Sequence, residues 1–146
     1  MDGGGRTNTV LSYQSPARAV LGLLGFSSFY VFARFAGVHH HTVSEILYKP
    51  MQFRKRLTSV ARVHQALVSA YSEHSPGLKN FEKNFVKAWI NDWIKSIKSN
   101  LDEKVFLKTN RVQRGKSART EADTRHLDRL AEQNRIKVIN ALETIP

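Results

Sequence analysis

Residues 19–38 constrain this chain more than any other stretch, because twenty consecutive positions there carry a single charge, Arg34. As one helix they would extend about 30 Å, the thickness of the hydrocarbon layer of a bilayer. Ten of the twenty are Val, Leu or Phe. On an insertion scale those contribute together about −3 to −6 kcal/mol, against a cost of up to about 3 for the arginine at mid-span. Arg34 lies near the end of the segment, where its aliphatic stem can carry the charge to the interface. Gly22, Gly25 and Ser28 recur every three residues, and in a span they would form a small-residue face for a neighbouring helix. The competing reading is a buried helix in a soluble bundle, with Phe26, Phe29, Phe32 and Phe35 as a core stripe. Twenty residues without a polar face favour the span.

The rest of the chain reads as amphipathic helices, so the expected class is all-α: one N-terminal transmembrane helix followed by three or four amphipathic helices. Residues 1–16 form a lead in which Gly3, Gly4 and Gly5 oppose helix formation. Residues 17–38 are the span. Residues 39–103 are an amphipathic region, 104–119 a basic linker and 120–146 a last amphipathic helix. Within the region, Thr42 and Glu45 have the spacing of a capping box, with a kink expected at Pro50. From Phe53 an apolar seam follows alternating steps of four and three through Leu57, Val60, His64, Leu67 and Tyr71. Ser75 and Pro76 suit a helix start. Beyond them Phe81, Phe85, Trp89 and Trp93 stand four apart beside Val86, Ile90, Ile94 and Ile97. The last seam is Leu127, Ala131, Asn134, Val138, Ala141 or Leu142, and Ile145.

Charge narrows the partners. The 146 residues hold 23 Lys plus Arg against 12 Asp plus Glu, a formal net charge of +11, which calls for an anionic partner. Six of the cations, Lys104, Lys108, Arg111, Arg114, Lys116 and Arg119, lie in a run with no acid, and Arg54, Lys55 and Arg56 form a second cluster. These nine are the candidate contacts to anionic lipid, RNA or an acidic partner. The 104–119 run has no aromatic residue for base stacking, so any nucleic-acid contact there is to phosphate. The candidate helix-packing residues are Gly22, Gly25, Ser28, Phe53, Leu57, Val60, Leu67 and Tyr71.

Little points to catalysis. The absence of cysteine removes disulfides, thiolate metal sites and cysteine nucleophiles. His39, His40 and His41 are consecutive, and on a helix neighbouring residues diverge by about 100°, so three in a row cannot chelate one ion. They suit a membrane or protein boundary where partial protonation favours anionic groups. His64 falls on an apolar seam and reads as a core histidine with a hydrogen bond. No nucleophile–base grouping, phosphate loop or paired carboxylates can be read, so the expectation is a non-enzyme with no cofactor, no metal and no small-molecule substrate.

Two functions follow. In the first, the chain is a single-pass accessory subunit, partnered by other subunits of a membrane complex. Residues 39–146 hold 20 Lys plus Arg against 11 Asp plus Glu, so the positive-inside rule places them on the cytoplasmic or matrix side. In organisation, though through no motif, this design resembles the supernumerary subunits of organellar respiratory complexes or ATP synthases, which implies the mitochondrial inner membrane with the C-terminal part in the matrix. In the second, it is a soluble basic RNA-associated protein, such as a peripheral ribosomal or mitoribosomal component.

Overall fold

The computed structural model describes residues 16–50, 57–101 and 120–146. Among them every regular element is helical: α1 (Pro16–Leu23), α2 (Phe29–Ala36), α3 (His40–Tyr48), α4 (Leu57–His74), a 3₁₀ turn (Ser75–Gly77), α5 (Asn80–Asn100) and α6 (Glu121–Ala141). The all-α class is therefore as the hydrophobic periodicity implies.

The single helix over 17–38 is corrected. The chain breaks at Gly25, whose φ of +91° is open to glycine and strained for other residues. Phe26 N–H donates to Leu21 O at 2.9 Å and Gly25 N–H to Gly22 O at 3.1 Å, the paired bonds of a Schellman stop. Ser28 then opens α2, its hydroxyl accepting from Val31 N–H at 3.2 Å. Gly37 (φ +73°) closes α2 the same way, with Val38 N–H on Ala33 O at 3.0 Å. Each helix has eight residues, about 12 Å, and no helix among the described residues is long and apolar enough to cross a membrane. Gly25 and Ser28 are thus stop and start signals, while Gly22 is exposed with no atom within 4 Å of where a Cβ would stand. The three make no common packing face.

The oily character of 19–38 is satisfied inside the protein instead. Val20, Leu21, Leu24 and Phe32 are fully buried, in one cluster with Val43, Ile46, Leu67, Ile90, Ile94 and Ile97. Enclosing each such side chain contributes about 1.5–3 kcal/mol, so these residues leave water without a bilayer. The aromatic stripe is split: Phe32 is enclosed, Phe26 and Phe29 are partly buried, and Phe35 is half exposed.

α3 begins before the expected capping box. His39 takes the cap, its Nδ1 accepting from His41 N–H at 3.3 Å, and Thr42 lies within the first turn. The helix ends at Tyr48 instead of kinking through Pro50, because the residue before a proline is driven out of the helical region; Lys49 has φ −130°, ψ 57°. Trp93 ties α3 to α5 from inside, Nε1 donating to Ile46 O at 3.1 Å.

The seam of α4 buries Val60, His64 and Leu67, with Leu57 and Tyr71 partly buried against the core; Phe53 lies outside the described residues. Ser75 and Pro76 form the 3₁₀ turn, and α5 starts at Asn80, with Lys79 N–H donating to Glu82 Oε1 at 2.9 Å. So short a connection makes α4 and α5 an antiparallel hairpin, which brings Leu57 and Leu101 to the same end.

α6 opens at Thr120, whose hydroxyl accepts from Asp123 N–H at 3.0 Å. Its buried stripe is narrow: Ala131 and Val138, continued by Leu142 beyond the helix. Asn134 and Ala141, on the expected seam, are exposed. Arg135 pairs with Glu132 and donates from Nη1 to Leu101 O at 3.0 Å, joining α6 to the end of α5.

Candidate interaction surfaces

The positive charge is unevenly placed. The described residues hold 13 Lys plus Arg against 9 Asp plus Glu, whereas the remaining segments hold 10 against 3. All nine basic residues singled out above, Arg54 to Arg56 and Lys104 to Arg119, lie outside the described residues. Their attachment points are defined, however. Residues 51–56 lead into Leu57, and 102–119, free of acid after Asp102 and Glu103, leave from Leu101, so both basic segments join the helical body at the open end of the α4–α5 hairpin.

A second feature was not foreseen from sequence. An open groove of about 910 Å³ runs between α1, the Gly25 turn and the first turns of α5. Leu21, Leu23, Phe26, Phe29, Phe81 and Phe85 line it, with Arg18 and Glu82 at its polar positions. Phe81 is 68% exposed and Phe85 42%, while Trp93, further along the same aromatic row, is buried. The reason is helical geometry: Phe81 lies about 140° around the axis from Val86, the residue that starts the buried line of α5. The legible signal was an apolar face wider than one buried stripe needs. Phe26 touches Phe35 (ring centroids 5.3 Å), and Phe29 touches Tyr48 (5.0 Å) and carries the Arg18 guanidinium at 5.8 Å. Those contacts extend the aromatic surface onto the outer side of α2, where Tyr30, Val31 and Phe35 are exposed beside Arg34. Exposed apolar side chains gathered in this way are surface that a partner could cover.

A third arrangement fastens residues 142–146. His64 Nε2 lies 2.9 Å from Glu143 O, as donor in the tautomer with its proton there. Asn91 holds Ile145 from both sides: Nδ2 donates to the carbonyl at 3.0 Å, and Oδ1 accepts from the N–H at 2.8 Å. Lys87 Nζ donates to Pro146 O at 3.2 Å. His64 is therefore a buried histidine, as its seam position suggests, but its partner is 79 residues away.

The three consecutive histidines cluster at the start of α3, with ring centroids 4.2–5.3 Å apart. They pack on one another, with Tyr30 on His40 at 5.7 Å, and His39 and His41 remain exposed. Burial, and then the neighbouring His41 and His39, push His40 below the ordinary histidine value. Among the described residues no group of three His, Asp or Glu side chains is placed to hold a metal ion.

No protein family, curated protein or solved structure matches the chain.

Proposed function

We propose that the protein is a non-catalytic accessory component of an RNA-containing assembly, a helical body that docks by its aromatic face while its basic segments neutralise RNA phosphates. The observation that carries this reading is the concentration of cations in two short basic segments attached at one end of a body that is itself only moderately basic, with 13 Lys plus Arg against 9 Asp plus Glu. A bundle needs no such runs for its stability, and like charges in sequence repel. Against a polyanion each cation that meets a phosphate releases counterions, and binding then falls steeply with salt.

The test is binding to single-stranded and structured RNA from 50 to 300 mM salt, with the six basic residues from Lys104 to Arg119 changed to Gln in a comparison protein. The expected slope of log affinity against log salt for the native chain is about −4 to −6, from some six to nine phosphate contacts on single strands. The variant should lose roughly two-thirds of that slope. An unchanged slope and affinity would remove RNA from the account.

A second reading keeps the membrane-complex subunit in peripheral form. It is favoured by Tyr30, Phe35, Phe81 and Phe85, exposed with Arg18 and Arg34 among them, a combination suited to an interface of headgroups and acyl chains. Assigning orientation from charge asymmetry needs a span, so the matrix-side placement does not accompany this form. Flotation with anionic lipid vesicles tests this reading: co-flotation supports the peripheral contact, and its absence removes it.

A further inference from the structure

We propose that His39, His40 and His41 form an acid-sensitive fastening for α3, holding it on the core at neutral pH and loosening it together as the medium acidifies. The inference is independent of what the basic segments bind. It rests on where the rings are. Three imidazoles lie within 4.2–5.3 Å of one another at a helix N-terminus, where the backbone dipole already opposes positive charge. One of them also does structural work as a base: His39 Nδ1 accepts the His41 N–H at 3.3 Å, which needs its lone pair. A proton on that nitrogen turns the cap into a clash of two donors. Protons on the other rings set cations side by side.

The surroundings offer little compensation. From α2, the cluster meets Tyr30 at 5.7 Å from His40, and Arg34 stands in the last turn. From α4 comes Arg62, whose Nη1 donates to Gly37 O at 3.2 Å, two residues before His39. The contact recorded from α5 is through Trp93, which does not titrate. Within α3, Glu45 is four residues after His41 and Lys49 closes the helix; a cation placed N-terminal to an acid at that spacing is the weaker orientation of such a pair. The charged residues named on these elements are thus three cations and one carboxylate. The downward displacement of His40 agrees with this layout, with burial its largest cause.

What the fastening holds is substantial. Val43 and Ile46 are fully buried and Leu47 nearly so, and Ile46 O is the partner of the Trp93 indole. Release of α3 would therefore be felt at a tryptophan in the centre of α5. The direction follows from linkage. An unfolded histidine takes up its proton near 6.5, and His40 in the folded cluster takes its proton up at lower pH. The unfolded state thus binds more protons across this interval. Stability is complete above 6.5 and falls as pH drops through that value.

The test compares thermal unfolding, followed by near-ultraviolet signals of the tryptophans, from pH 8 to 5 in the native chain and in a variant carrying His39→Gln, His40→Gln and His41→Gln. A second variant with His74→Gln and His126→Gln controls for the other accessible histidines. The native protein and the control should lose about 5 °C or more of Tm between pH 7.5 and 5.5, and the cluster variant should lose most of that dependence. A cluster variant that keeps the native pH dependence overturns the proposal. Should that variant fail to fold at neutral pH, an NMR titration of the imidazole Cε1 protons in the native chain decides. A midpoint for His40 below 6.5 supports the fastening, and a midpoint at or above it refutes it.

Discussion

Gly22→Ala and Gly25→Ala, the same substitution three residues apart, should act in opposite directions. Gly22 lies inside α1, exposed, with nothing within 4 Å of a new Cβ. Alanine there lowers the backbone entropy of the unfolded chain and improves helix propensity, a gain of about 0.5–1 kcal/mol. At Gly25 the φ of +91° is strained for any L side chain, at a cost of about 1–2 kcal/mol. The added Cβ would also meet the His74 ring at 3.0 Å, and moving that ring adds a fraction of a kcal/mol. The total is about 1–3 kcal/mol of destabilisation, or a fall of roughly 3–8 °C in Tm against a rise of roughly 1–3 °C for Gly22→Ala. Urea unfolding followed by circular dichroism measures both. Combining Gly25→Ala with His74→Ala should relieve the side-chain part and leave the backbone part. If residues 17–38 formed one continuous helix, both glycines would be interior helical positions and both alanines would stabilise. Stabilisation by Gly25→Ala would therefore refute the break between α1 and α2 on which the folded placement of this segment depends.

Two more perturbations test the body. Leu24→Arg places a charge where the native side chain is fully enclosed; burial of an unpaired cation costs several kcal/mol, so the variant should be unfolded or insoluble, and a native-like melting curve would contradict the core assignment. Asn91→Ala removes both side-chain bonds to the Ile145 backbone, a loss of about 1–3 kcal/mol; amide exchange at Ile145 should accelerate while that of Ile94 in α5 stays slow, and unchanged protection at Ile145 would count against the clamp.

The helical class, and much of α4, α5 and α6, could be read from spacing alone, because a period of 3.6 survives in any environment that buries one face. Val60, Leu67, Ile90, Ile94, Ile97, Ala131, Val138 and Leu142 are buried on the seams that carry them. Residues 19–38 were misjudged because hydropathy records how strongly a side chain avoids water and not which apolar medium receives it. The stop and start at Gly25 and Ser28 were written in the same letters as a small-residue face, and a three-residue spacing fits both. Length decided it: eight-residue helices against a hairpin bury Leu21, Leu24 and Phe32 without a membrane. The surfaces were legible only in part. The basic runs stand out by composition. The groove at Phe81 and Phe85 depends on which side of α5 meets α1, and the clamp joins residues more than fifty positions apart, which no local pattern encodes.

Among the described residues, the polar grip on residues 143–146 is on main-chain atoms: two carbonyls and an amide at Glu143 and Ile145, and the carbonyl of Pro146. Such a grip does not discriminate among side chains. Glu143 and Thr144, both exposed, are therefore free to drift, or to be replaced by a reporter group, without loosening α6. What holds this end of the chain is the shape of the backbone and the two greasy anchors, Leu142 and Ile145.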